Sequence, residues 1–193
     1  MTSTTAEKLT ARDRLLAAAD ELFYAEGVHT VGIDRVIERA GVAKASLYNT
    51  FGSKDELVRA YLKGRQQQIA ARLTAAIDQH RDPRKRLLAV FDYQAAAMAS
   101  PGFNGCAFAG ASAESAPGSA ACEVTREYRN WIRELFTTLA KDAGARDPKT
   151  LGRQLRMLYV GCAQPGRLDD DRRAAATAKS AALTLLEAAT TNG

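Results

Sequence analysis

Between Ala43 and Lys54 the chain carries two lysines and no acid. Lys44, Ala45, Ser46, Asn49 and Thr50 fall on one side of a short helical stretch. Their side chains are small, hydrogen-bonding or cationic, the types that approach base edges in a groove. Tyr48 and Lys54 stand where flanking phosphates would lie, and the amide end of a helix opening at Ser53 can receive a phosphate oxygen. This is the chemistry of double-stranded DNA recognition. A second set, Phe91, Met98, Cys106, Phe108, Tyr128, Trp131 and Tyr159, could line an apolar cavity for a small molecule. No constellation for catalysis is present: no Gly-x-Ser-x-Gly, no phosphate-cradling Gly-x-x-x-x-Gly-Lys and no His-Glu-x-x-His. Cys106, Cys122 and Cys162 are an odd count at unrelated spacings, which predicts neither a disulfide framework nor a metal site. We therefore expect no enzyme and no cofactor, with Cys122 and Cys162 structural.

Helices must position these residues. Leu15, Ala19, Leu22 and Phe23 mark one face of a helix over 12–26, ended by Gly27. Ile33, Val36, Ile37 and Ala40 repeat at i, i+3, i+4 and i+7, and Gly41 suits a left-handed cap. After the turn, Lys44 to Phe51 forms a third helix with Leu47 and Phe51 inward. Two short amphipathic helices around a glycine turn, crossed by a longer one, make a helix-turn-helix unit. Ser53-Lys54-Asp55-Glu56 reads as a capping box opening a long helix toward His80. Asp82-Pro83 opens another, which ends near Ser100-Pro101-Gly102. Residues 101–120 read as a loop with a short helix near Cys106 to Glu114. Residues 120–143 carry the strongest periodicity, and Asp147-Pro148 opens a helix interrupted at Pro165-Gly166. Asp169 to Asp171 would favour the start of a last helix through its dipole. Nothing alternates with period two, so the fold is expected to be all-α with eight or nine helices.

The stretch Arg12 to Leu62 resembles the N-terminal domain of the TetR family of bacterial transcriptional regulators. The match comprises Leu22-Phe23, Gly27, Ile33, Val36-Ile37, Ala40-Gly41-Val42, Lys44, Leu47-Tyr48, Phe51 and Ser53-Lys54-Asp55-Glu56-Leu57. The resemblance implies a homodimer on a palindromic operator that is released by a small-molecule effector. It divides the chain into a DNA-binding domain over 9–55, with the helix-turn-helix at about 32–51, and a helical effector-binding and dimerisation domain over 56–193. The last two helices, roughly 149–164 and 172–190, would pair with their copies as a four-helix bundle. Two positions depart from the family pattern. Ala43 stands where Ser or Thr commonly precedes the recognition helix, and Val31-Gly32 where a Thr/Ser pair opens the second helix. Losing such a cap typically costs ~1 kcal/mol. Gly105-Cys106-Ala107-Phe108 is similar to an element of some TetR-type effector domains in which the cysteine senses electrophiles or oxidants. That gives an alternative effector mode through Cys106.

Composition agrees with a globular helical protein. Of 193 residues, 38 are alanine and five are proline, a bias toward helix. No apolar run approaches ~18 residues and the first 14 residues are polar, so a cytoplasmic protein without membrane partners is expected. The net charge of +5 points less clearly to DNA than it first does. Residues 1–65 hold ten Lys/Arg against nine Asp/Glu, so four of the five excess charges lie beyond the head. A helical small-molecule receptor or sequestering protein with a degenerate DNA head is the rival reading.

Overall fold

The computed structural model describes residues 9–164, 171 and 173–191. Among these residues there are nine helices and no strand. They are α1 (Ala11–Glu26), α2 (Ile33–Ala40), α3 (Lys44–Phe51), α4 (Lys54–Asp78), α5 (Pro83–Met98), α6 (Ala107–Ala113), α7 (Ala120–Asp142), α8 (Pro148–Gly161) and α9 (Ala174–Thr190). Pro165-Gly166 and Asp169-Asp170, to which the periodicity assigned a break and a helix start, lie outside the described residues. Asp171 does accept a hydrogen bond from the Arg173 amide at 2.8 Å, just before α9.

Polar side chains open five of these helices. Thr10, Ser53, Asp82, Ser119 and Asp147 each accept a bond from a backbone amide of the first turn. The reciprocal capping box forms at α1, not at α4. There Asp13 returns to the Thr10 amide at 3.2 Å, an aspartate doing what glutamate usually does. At α4 only half of the expected box is made: Ser53 accepts from Glu56 at 3.2 Å, while the Glu56 carboxylate turns away to Arg59 at 3.1 Å. A guanidinium one turn on offers a charge-assisted partner, which outcompetes a neutral amide.

One apolar core runs through the molecule. Leu15, Ala19 and Phe23 of α1 meet Val36 and Leu47 below and Leu57, Tyr61 and Leu62 of α4 alongside, all fully or nearly fully buried. Phe23 and Tyr61 pack edge to face, ring centroids 5.6 Å apart. The boundary placed at 55/56 thus falls inside the first turn of an unbroken helix whose opening turns pack on the head. In the body, Phe91, Phe136 and Tyr159 cluster with centroids 5.7 to 6.4 Å apart. The α7–α8 pair is the most extensive helix contact. Gly152 permits it, since a Cβ there would sit 2.9 Å from the Thr137 backbone nitrogen. No helix among the described residues is long and apolar enough to cross a membrane.

Candidate nucleic-acid interface and effector cavity

The angle between α2 and α3 is set by Gly41, whose φ of 62° is the left-handed conformation that favours glycine. The Val42 amide donates to the Ile37 carbonyl at 3.3 Å, and the Arg14 guanidinium holds the Gly41 carbonyl at 3.0 Å. With Leu47 and Val36 fully buried between the helices, the opposite side of α3 must face out. Lys44, Ala45, Tyr48, Asn49 and Thr50 are exposed there and Ser46 is half-buried. Tyr48 leaves 45 % of its surface bare, an aromatic that the core does not use.

Neither α2 nor α3 has a side-chain cap: Gly32 and Ala43 occupy the cap positions, as the departures from the family pattern implied. The Lys44 ammonium sits 2.9 Å from the Asp34 carboxylate, and that bond raises its pKa. Both groups are largely exposed, so the pair is weakly held and an acceptor in a DNA groove can replace the carboxylate. Thr50 donates its hydroxyl proton to the Ser46 carbonyl at 2.6 Å and keeps its lone pairs for an incoming donor. Lys54 is placed differently from the rest. It is half-buried with its ammonium 6.0 Å from the Phe23 ring centroid, and desolvation lowers its pKa against the opposing pull of Glu114. A phosphate contact from Lys54 requires it to leave this seat.

Polar contacts fasten the head to the body. Asn104 donates its side-chain amide to the carbonyls of Tyr24 and Ala25 at 2.7 and 3.1 Å, and its backbone amide to the Tyr24 hydroxyl at 2.9 Å. That hydroxyl donates in turn to the Gly105 carbonyl at 3.0 Å. The Glu114 carboxylate accepts from the His29 amide at 2.9 Å and packs under Gly27, where φ is 96° and a Cβ would meet the carboxylate at 2.5 Å. Arg65 grips Asp20 with two bonds of 2.6 and 3.0 Å and lies over the Tyr24 ring at 3.7 Å.

Beside this join lies a cavity of about 240 Å³ between α4, α5, α6, α7 and α8. Cys106, Phe108, Tyr128 and Tyr159 line it. The other three residues assigned to such a cavity do not. Phe91 is fully buried among Phe136 and Tyr159, Met98 packs against the core, and Trp131 sits behind Tyr128 at 5.9 Å. Tyr24, Arg65, Arg72, Tyr93 and Gln94 complete the wall, residues that only tertiary packing brings there. Phe108 and Tyr128 stack face to face at 3.8 Å. Burial pushes the Tyr128 and Tyr159 phenols up, so both remain neutral hydrogen-bonding groups. The cavity therefore offers aromatic faces, neutral polar groups and two arginines.

The thiols fall in an order the spacing did not suggest. Burial pushes the Cys106 thiol up, and pushes Cys162 up to about 11. Hydrogen bonds with Ser119 and Ser112, and then the Arg126 charge, bring Cys122 down. At Cys106 burial outweighs the Ala109 and Phe108 amides and the Arg129 charge, which favour the reactive thiolate.

Residues 15–61 match the family model described as "Bacterial regulatory proteins, tetR family". The activator FasR of Mycolicibacterium smegmatis is 38% identical over 81 residues, which are 42% of this chain and 37% of that protein. The repressor KstR2 of Mycobacterium tuberculosis is 31% identical over 80 residues, again 42% of this chain and 40% of that protein. The chain thus matches less than half the length of these two curated relatives. A crystal structure of a TetR-family transcriptional regulator from Streptomyces coelicolor is matched almost throughout, with 36% identity, 94% of this chain and 96% of that one covered, and a TM-score of 0.89. With its helix-turn-helix intact and its body superimposing on that regulator, the chain belongs to the TetR family of DNA-binding transcriptional regulators and is not an enzyme.

Proposed function

We propose that the protein is a repressor that binds a palindromic operator as a homodimer and releases it when a small molecule fills the cavity. The observation that carries this reading is the double use of residues 104–108. Gly105, Cys106 and Phe108 form cavity wall, while Asn104 and Gly105 hold the end of α1 through Tyr24. A ligand that displaces this wall pulls on the head directly. Lys44, Ala45, Ser46, Asn49 and Thr50 read base edges, while Tyr48 and Lys54 meet phosphates. The seat of Lys54 against Phe23 and Glu114 then belongs to the unbound or released state.

Dimerisation is supported by the outer faces of α8 and α9. Met157, Val160 and Leu183 are large apolar side chains left exposed. Beside Leu183 the exposed face of α9 carries Ala176, Ser180 and Thr184, with Lys179 held by Asp92 at 2.6 Å at one edge and Glu187 at its end. A face of mostly small residues is suited to close helix pairing with a second copy. Two heads on a two-fold axis reach successive major grooves when the recognition helices stand ~34–36 Å apart or a further helical turn on. Effector coupling of this kind typically amounts to ~1–3 kcal/mol between the two sites.

Selection of bound duplexes from a random pool by the full-length chain tests this reading. An inverted repeat with half-sites one or two turns apart is expected, together with a dimeric mass by light scattering. Enrichment of a single unrepeated half-site, or of nothing, overturns it. Asn104→Ala should change operator affinity while the dimer persists, because it uncouples the cavity wall from α1.

A further inference from the structure

Part of the positive charge that the sequence places outside the head gathers in one cleft. Arg126, Arg129, Asn130 and Arg133 follow the i, i+3, i+4, i+7 spacing of one stripe on α7, facing away from the Tyr128 cavity. Arg156 of α8 joins them, and Ser112 and Cys122 close a cleft of about 240 Å³. No carboxylate lines it. Among the described residues, Arg126, Arg129 and Arg156 take part in no ion pair, and Arg133 meets only its chain neighbour Glu134 at 3.4 Å. Arg35, Arg39, Arg59, Arg65 and Arg86 each hold a carboxylate across helices or turns, whereas among the described residues Arg12 and Arg84 stand alone on the surface, so it is the gathering of four arginines around one cleft that sets this group apart.

Arg156 carries the second observation. Its Nε–H is shut off from solvent and has no hydrogen-bond partner, as at Arg86, but at Arg156 the side chain lines the cleft. A buried donor without a partner is costly, and more so on a charged group. Burial, and then the charges of Arg129 and Arg133, lower its pKa, although a guanidinium stays protonated at neutral pH. Three exposed guanidinium groups and the half-buried Arg156, with its unused donor, line one cleft free of carboxylates, an arrangement that an anion complements.

We propose that this cleft binds a small polyanion, a phosphate- or carboxylate-bearing molecule, as a ligand separate from the occupant of the aromatic cavity. Planar guanidinium forks match both groups through paired N–H···O bonds. The cleft admits a group of a few heavy atoms, and a bound oxygen satisfies the Arg156 Nε–H. The two sites share α7 but no lining residue, and the first turn of α7 touches α4, where the Ala120 amide donates to Asp55 at 3.1 Å. An anion here stiffens α7 and α8 and presents the head with a second input.

Inorganic pyrophosphate and citrate, titrated separately into the full-length chain at fixed ionic strength, test the site. Two readouts apply: melting temperature, and iodoacetamide alkylation of Cys122 followed by peptide mass spectrometry. A saturable rise in melting temperature is expected, with Cys122 protected and Cys106 unaffected. A response to pyrophosphate alone assigns phosphate esters, and to citrate alone polycarboxylates. Arg129→Gln and Arg156→Gln should weaken the response at least tenfold, and Arg84→Gln on the exposed start of α5 should not. Both variants remove repulsion, so their unliganded melting temperatures should hold or rise. A rise that never saturates, one equal in Arg156→Gln, or protection of Cys122 by duplex DNA alone overturns the proposal.

Discussion

The helix-turn-helix and the α7–α8 cleft handle their positive charge in opposite ways. In the head, Lys44 faces Asp34, Arg35 faces Glu26 and Arg39 faces Glu21, each at 2.6 to 2.9 Å and each exposed. In the body, three arginines of the α7–α8 cleft have no such partner among the described residues. The part of the molecule that meets DNA is electrostatically almost balanced, and the part that does not is the basic one. Under the proposed reading, affinity at the head comes from exchanging weak internal partners for acceptors on DNA in a fixed geometry. Bulk charge would attract DNA anywhere along the surface, whereas a buried Leu47 and a left-handed Gly41 aim one helix face.

Variants can break or sharpen this contrast. The largest effect is expected from Leu47→Ala, which empties a fully buried position under α3 and should cost about 2–5 kcal/mol. Because one core joins α1, α4 and the body, chemical denaturation followed by circular dichroism should still show a single transition at lower denaturant. A separate early transition would mean the head is held only by its own contacts. Gly152→Ala probes the body alone: the new methyl meets the Thr137 backbone and should cost about 1–3 kcal/mol, with operator affinity of the folded protein unchanged. Lys44→Ala should leave the melting temperature where it is and weaken operator binding. Its mark is specificity, since losing a base-edge contact should relax discrimination at one position of the half-site. A uniform loss across sequences, with a shallower salt dependence, would make Lys44 a phosphate contact instead.

The smallest effect is in acid. Hydrogen bonds from the first-turn amides of α5 hold the Asp82 carboxyl below its ordinary 3.8, and Thr150 does the same for Asp147 at α8. A carboxylate whose folded pKa lies below its unfolded one stabilises the fold above the unfolded value and stops doing so as pH falls through the folded value. Asp82→Asn keeps the cap and removes the titration, so its melting temperature should fall less steeply than wild type between about pH 5 and about pH 2. An identical slope would remove this cap from the acid response.

Helix ends were legible in the sequence because their signals are local. Gly27, Gly41 and Gly52 stop three helices, and Asp82-Pro83 and Asp147-Pro148 start two, with no help from the rest of the chain. The outward face of α3 was legible for the same reason, since Leu47 and Phe51 fix its orientation within two turns. The cavity was only partly so. Phe108 and Tyr128 share it, but so do Tyr24 and Arg65, which come from helices whose relative placement no periodicity encodes. Phe91 carried an identical apolar signal and went to the core. Cys106 and Cys122 show the limit most plainly: what separates them is burial on one side and two hydroxyls with an arginine on the other, all supplied by tertiary contacts.

Gly27 bears on how freely such regulators exchange parts. The missing side chain makes a socket for the Glu114 carboxylate, and the two residues sit on different halves of the molecule. A chimera that grafts this head onto another regulator's body gains a fitted joint only if the new short helix brings an acid to that spot. Conversely, any head with a side chain at this position would collide with this body. Recombination of reading heads and sensing bodies is thus gated by a pair of positions, one of which must stay empty.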